Sequence, residues 1–210
     1  MGFESILSDS LYLNTFYFNI ALLCSSPIMP QSVLFLGGAG AQNTAVVQAL
    51  LAGPNSNYQI SLLTRSTTSR QAKELAAAGV TLIEGDCFDA ADLRRAFKGI
   101  DSCYVNLNGF ATGEMNELHW SVRIYEIAIF SGVKHFVFGA IDYCSKKAGF
   151  DPKYHCGHYD GKGRFIGSSA LHPFNNLTLF PASYSPFLLI ILSRIPQGTA
   201  YRAHELVGSL

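Results

Sequence analysis

The run Val33-Leu34-Phe35-Leu36-Gly37-Gly38-Ala39-Gly40-Ala41-Gln42-Asn43 decides the fold of this chain. Four consecutive apolar residues read as a strand buried on both faces, and Asn43 to Ala52 carries a helical pattern that Gly53-Pro54 stops. Strand, glycine turn and helix in that order suit the diphosphate of a dinucleotide. Gly37 permits the tight turn and Gly40 lets the backbone come close. The helix N-terminus, with Ala41 and Gln42, directs unpaired N–H groups and positive dipole at the anion.

The alternation continues outward. Ile60-Ser61-Leu62-Leu63 is a second strand, and Thr68 or Ser69 caps a helix running through Glu74 to Gly79. Val80-Thr81-Leu82-Ile83 is a third strand. Asp89, with Asp92 three residues on, opens a helix through Leu93 and Phe97 that Gly99 ends, and Ser102-Cys103-Tyr104-Val105 is the fourth strand. Leu118, Val122, Tyr125 and Ile129 recur on one helical face before Gly132. His135 to Phe138 is a fifth strand, Leu177 to Phe180 a sixth, and a helix begins near Pro186. Strands joined by helices need crossover connections, so the pattern predicts a doubly wound α/β fold, a parallel sheet with helices on both faces. Residues 1–30 read as an extension outside the core, 31–193 as one domain and 194–210 as a tail, the remnant of a substrate-binding region.

Composition agrees with one domain that buries a sizeable core: 210 residues, 49% of them hydrophobic and 14% charged. The formal charge of zero removes the footprint of a nucleic-acid or anionic-membrane binder. Ser10 to Ser32 is uncharged, yet Glu4 and Asp9 precede it and the first basic residue of the chain is Arg65, the reverse of a secretory signal. Asn14, Asn19, Pro27 and Pro30 interrupt it as a membrane span, and Met29 is a second candidate start. Five cysteines without a C-x-x-C pair predict free, mostly buried thiols in a reducing, cytoplasmic setting.

Chemistry concentrates after the strands. Thr64-Arg65-Ser66 follows the second strand, where a guanidinium beside hydroxyls suits the 2′-phosphate of NADP and a carboxylate would suit NAD. Asp86, after the third strand, is placed to reach an adenine or to cap a turn. Asn106-Leu107-Asn108-Gly109-Phe110, after the fourth, offers amides to a ribose or carboxamide. Tyr143-x-x-x-Lys147 matches the string of short-chain dehydrogenases, but its position just after the fifth strand predicts a loop. His155-Cys156-Gly157-His158 lacks a distant fourth ligand, so no metal is expected.

Four stretches carry a resemblance: the glycine turn; Gly85-Asp86-x-x-Asp89-x-x-x-Leu93 running to Phe97-Lys98-Gly99-x-Asp101; Gly132-Val133-Lys134-His135-Phe136-Val137; and His158-Tyr159-Asp160-Gly161-Lys162-Gly163. Over about residues 31 to 193 the chain resembles the NmrA-like atypical short-chain dehydrogenases, most of all fungal members that include oxidoreductases of secondary metabolism. The resemblance implies a Rossmann fold and an NADP cofactor. It implies that Lys162 faces the nicotinamide ribose, with His158 one turn earlier and Tyr159 as candidate proton donors. The implied activity is oxidoreduction of a small hydrophobic metabolite. The alternatives are an NADP sensor that acts on a protein partner and an inactive, truncated product, because the chain is shorter than the family's usual members. One departure is local: Asn43 replaces the third glycine, and its side chain is expected to push the helix from the sheet or to compete for the phosphates.

Overall fold

The computed structural model describes residues 31–53, 57–169 and 177–181. The extension before Gln31, with Met29, and everything after Pro181, with the helix expected near Pro186 and the tail, lie outside the described residues. Among those described, six strands form one sheet: β1 Gln31–Leu36, β2 Tyr58–Thr64, β3 Thr81–Glu84, β4 Ser102–Val105, β5 His135–Ala140 and β6 Leu177–Pro181. Their order is β3-β2-β1-β4-β5-β6, and every neighbouring pair is parallel. From β1 at the centre the path winds out through β2 and β3, then returns to lay β4 on the other side of β1. That reversal opens a crevice at the carboxyl ends of β1 and β4, where doubly wound folds bind ligands.

Period-two alternation feeds two cores. Leu34, Leu36, Cys103, Val105, Phe136 and Phe138 face one way, against Leu93, Phe97, Ile124, Ala128 and Phe165. Val33, Phe35, Ile60, Leu62, Tyr104 and Val137 face the other, against Val46, Val47, Leu50 and Leu75. A strand buried on both sides needs apolar residues at consecutive positions, which is why β1 reads as an unbroken run.

Helix α1 is Ala41–Ala52, α2 Arg70–Ala77 and α3 Ala90–Ala96. Ser69 caps α2, its hydroxyl accepting from Ala72 N at 3.2 Å, and Asp89 caps α3 by accepting from the Ala91 and Asp92 amides. Two short elements follow β4 and β5: α4, Gly109–Thr112, and α6, Cys144–Lys147. Tyr143 and Lys147 therefore bracket a helical turn where a loop was expected. The long helices of this half are α5, Glu114–Phe130, and α7, Gly157–Ser169.

On α5 the expected apolar face is displaced. Glu117, Ser121, Ile124, Tyr125, Ile127 and Ala128 are buried, Leu118 and Val122 only flank the core, and Ile129 is exposed. The apolar pattern misplaced the face because the first two buried positions are polar. The thiols differ too: Cys87, Cys103, Cys144 and Cys156 are free, but only Cys103 is fully buried. No described helix is long and apolar enough to cross a membrane.

Candidate functional site

At the carboxyl edge of β1 the backbone turns through Gly37 (φ +106°) and Gly38 (φ +78°), values that favour glycine. Gly40 then serves as N-cap of α1 and supplies no side-chain hydrogen bond. Gly40, Ala41 and Gln42 are exposed, and among the described residues a Cβ at Gly40 would meet nothing within 4 Å. Unlike α2 and α3, α1 thus presents an uncapped N-terminus to open space, the geometry that receives an anion.

Asn43 neither displaces α1 nor competes for the edge. Its side chain is buried and turned inward, with Nδ2 donating to Leu36 O at 3.2 Å and Gly38 O at 2.7 Å. One amide clips the end of β1 to the glycine turn, which corrects the expectation that it would obstruct the site. Replacing it with alanine leaves both carbonyls without this donor, so Asn43→Ala is expected to lower stability by about 1 to 3 kcal/mol in urea unfolding. An unchanged midpoint would show that the clip contributes nothing.

Arg65 leaves β2 at the same edge. Thr64 Oγ1 and the Ser66 backbone hydrogen-bond around it at 3.3 Å, while its own side chain is exposed and makes no hydrogen bond or ion pair among the described residues. Asp86 serves its own turn: Oδ1 accepts from Phe88 N at 3.0 Å, and its amide donates to Asp92 Oδ2 at 2.9 Å. Beside it Cys87 is half-buried. Burial first, then the Asp86 charge, raise its thiol to about 11, with Arg65 opposing, so the thiol stays protonated.

Across the crevice, Gly37 packs so tightly on the loop after β4 that a Cβ there would overlap the carbonyl oxygen of Asn106. The Asn106 side chain joins two elements. Its Nδ2 donates to Gln42 Oε1 on α1, and its Oδ1 lies 3.5 Å from Lys162 Nζ on α7. Lys162 also donates to Leu107 O at 3.1 Å and lies 2.9 Å from Glu117 Oε1. Both charged side chains are out of water, at 1% and 0% exposure. The expected ribose lysine is therefore a buried ammonium with two protein acceptors and a carboxylate counter-charge. Glu117, its counter-charge, was not singled out in the sequence. The available signal was a glutamate in phase with Ser121, Ile124 and Ala128 on one helical face.

Glycines make room for this arrangement. A Cβ on Gly109 would overlap the Glu117 carboxylate, one on Gly161 would lie 3.1 Å from Glu114 O, and one on Gly163 would overlap Tyr143. Two glycines inside a helix cost stability unless another chain must approach closely, and here both α5 and the loop after β5 do.

His158 lies a turn before Lys162. Its ring stacks on Phe110 at 3.9 Å between centroids, and Tyr159 meets it edge-on at 5.6 Å. His158 Nδ1 is buried without a hydrogen bond, so the residue does not cap α7 through that atom. Burial, chiefly, holds the imidazole below the ordinary histidine range, opposed by Glu117 and aided by Lys162, so it is neutral at neutral pH.

A second polar group flanks the site. Arg164 Nε donates to the Tyr143 hydroxyl at 3.1 Å and Nη1 pairs with Glu114 Oε1 at 3.1 Å, while His155 Nε2 lies 2.8 Å from Glu114 Oε2. Lys147 instead pairs with Asp142 at 3.0 Å. Asp160 is buried and accepts from the Ser145 and Cys156 amides and from the Ser145 hydroxyl. Burial is the largest influence on its carboxyl and works upward, yet these bonds together hold it below the usual range. Among the described residues no group of three or more metal-ligating side chains is placed to hold an ion.

An open helix N-terminus at the switch point of a parallel sheet of this strand order defines a Rossmann-type α/β protein. The chain belongs to the NmrA-like family, whose sequence profile matches residues 29–165. Among curated relatives, the NmrA-like family domain-containing oxidoreductase himF of Aspergillus japonicus is 28% identical over 123 residues, 57% of this chain and 37% of that protein. The similarly named malD of Malbranchea aurantiaca is 27% identical over 164 residues, 72% of this chain and 46% of that one. The chain spans less than half the length of these relatives. Among solved structures, the negative transcriptional regulator NmrA in complex with NADP superposes with a TM-score of 0.61 at 15% identity, over 72% of this chain and 45% of that one. The NADPH-dependent quinone oxidoreductase QOR2 of Escherichia coli gives 0.53 at 21%, over 72% and 48%. Both likenesses speak to the fold.

Proposed function

We propose that this chain is the cofactor-holding part of an NADP-dependent oxidoreductase that acts on a small hydrophobic metabolite, as in fungal secondary metabolism. The observation that carries the reading is the uncapped N-terminus of α1 with the exposed guanidinium of Arg65, unpaired among the described residues, at the next strand end. The residues fit the group: amides of Ala41 and Gln42 beside Gly37 and Gly40 for the diphosphate, Arg65 for the 2′-phosphate, Asp86 toward the adenine, and Asn106 with Lys162 at the nicotinamide end. The bound nicotinamide supplies or accepts the hydride. His158, neutral and beside Tyr159, is the group that exchanges the proton at the substrate oxygen. Relatives named as oxidoreductases support the same reading. It places the protein in the cytoplasm, without nucleic-acid or membrane partners.

One observation favours a second reading, an NADP sensor that signals to a protein partner. The Lys162 ammonium already donates to Leu107 O and Asn106 Oδ1 and is paired with Glu117 at 2.9 Å, so it is engaged by the protein itself in the position where a ribose would need it. Cofactor fluorescence titration tests the shared part. Arg65→Ala is expected to weaken NADPH about tenfold or more, from loss of a charge-assisted contact, and to leave NADH nearly unchanged. Equal losses for the two cofactors would overturn the assignment of Arg65. Turnover of a panel of carbonyl and enone compounds by the wild-type chain then separates catalyst from sensor.

A further inference from the structure

We infer that Glu117 is a positioning residue for the dinucleotide site: its carboxylate fixes Lys162, and through Asn106 and Gln42 the fixed ammonium sets the first turn of α1. The inference rests on the proposed dinucleotide reading for its biological sense, but its physical content concerns this chain alone. Glu117 comes from α5, Lys162 from α7, Asn106 from the loop after β4 and Gln42 from α1, and each is joined to the next by a polar contact. The line ends on the turn that presents its N–H groups to open space.

Three features make the niche around Glu117 a built one. Gly109 lacks the Cβ that would collide with the carboxylate, and Gly161 keeps α7 close enough for Lys162 to reach it. Among the described residues both carboxylate oxygens of Glu117 are buried without a hydrogen bond, so this carboxylate is held by its ion pair with the single ammonium and not by a general polar setting. A buried ion pair is seldom more stabilising than apolar residues of the same volume, so its presence in the core calls for something other than stability. Fixing the direction of Nζ is that something. Held by this ion pair, Nζ donates to Leu107 O and to Asn106 Oδ1, and the Asn106 amide must then turn its N–H toward Gln42.

Glu117→Gln tests this, because it keeps the shape and removes the counter-charge. An ammonium buried without a partner charge sheds its proton within the ordinary pH range. The charged groups facing it are Glu117 from α5 and, on its own helix, the titratable ring of His158. Carbon-detected NMR of the ligand-free chain reads the carbonyls of residues 36–40 and the side-chain carbonyls of Gln42 and Asn106. In Glu117→Gln these are expected to acquire a titration between about pH 7 and 9.5 that the wild type lacks, and to lose it again when Lys162→Met is added. A carboxamide at 117 that leaves the turn carbonyls unmoved across this range, with any titration confined to residues next to 117 and 162, would overturn the inference. NADPH added to the wild type is a separate arm. Shifts at the same carbonyls, with affinity about tenfold weaker in Glu117→Gln at the alkaline end, complete the positioning role. Absence of NADPH shifts in the wild type would refute the dinucleotide reading while the ligand-free titration still decides whether Glu117 sets the turn.

Discussion

Lys162→Ala is expected to lower the stability of this chain by about 3 to 5 kcal/mol, the cost of leaving a buried carboxylate without its partner. The ammonium and Glu117 are 2.9 Å apart and both are excluded from water. Truncation also strips the donor from Leu107 O and removes an ammonium that lies 5.3 Å over the Phe138 ring. For a chain of this size the loss corresponds to roughly 6 to 20 °C in melting temperature. The paired change Lys162→Met with Glu117→Leu removes both charges and keeps volume, and is expected to recover most of the loss. Urea and thermal unfolding of the two variants against the wild type decide the matter. If Lys162→Ala costs under about 1 kcal/mol, the ammonium is solvated in solution and the pair is not the clamp described above. Such a result would also return Lys162 to the cofactor, because a lysine free of Glu117 has protons to offer a ribose. Stability of this variant therefore bears on the choice between catalyst and sensor before any substrate is known.

That pair also marks the limit of what local spacing reveals. β1, the glycine turn and the caps at Ser69 and Asp89 are legible because each depends on residues within four positions of one another. Glu117 is not, since a glutamate on an amphipathic helix reads as solvent-facing, and only Lys162, 45 residues later by numbering, brings it inward. The same limit holds at Tyr143: the Tyr-x-x-x-Lys string is set aside for its position, but nothing local shows that the hydroxyl goes to Arg164, 21 residues on, and Lys147 to Asp142. Asn43 errs the other way. Judged against the glycine it replaces it is an obstruction, but carbonyls from Leu36 and Gly38 lie within its reach and turn it into a clip. Motifs placed the edge correctly and left open what each side chain does there.

Gly37→Ala is expected to be the most damaging single methyl at the edge, at about 2 to 5 kcal/mol. Two independent costs add. A side chain at φ +106° is strained by roughly 1 to 2 kcal/mol, and its Cβ would overlap Asn106 O, for which the loop after β4 must move at a further cost of about 1 to 3 kcal/mol. That loop cannot move freely, because Asn106 N donates to Leu36 O and its side chain holds Gln42 and Lys162. The neighbouring glycines separate the causes. Gly38 shares the positive φ but faces open space, so Gly38→Ala is expected to cost about 1 to 2 kcal/mol. Gly40 has φ −70° and open space, so Gly40→Ala is expected to leave stability within about 0.5 kcal/mol. On the proposed dinucleotide reading its methyl would stand where a diphosphate approaches the amides of α1, so Gly40→Ala is expected to weaken NADPH without unfolding the chain. Denaturant midpoints in the order Gly37→Ala, Gly38→Ala, Gly40→Ala, lowest first, with NADPH affinity reduced in the last, are the expected pattern. A Gly37→Ala midpoint as high as that of Gly38→Ala would mean that the β1 turn and the β4 loop do not touch in solution, and the crevice between them would then be wider than the one built here.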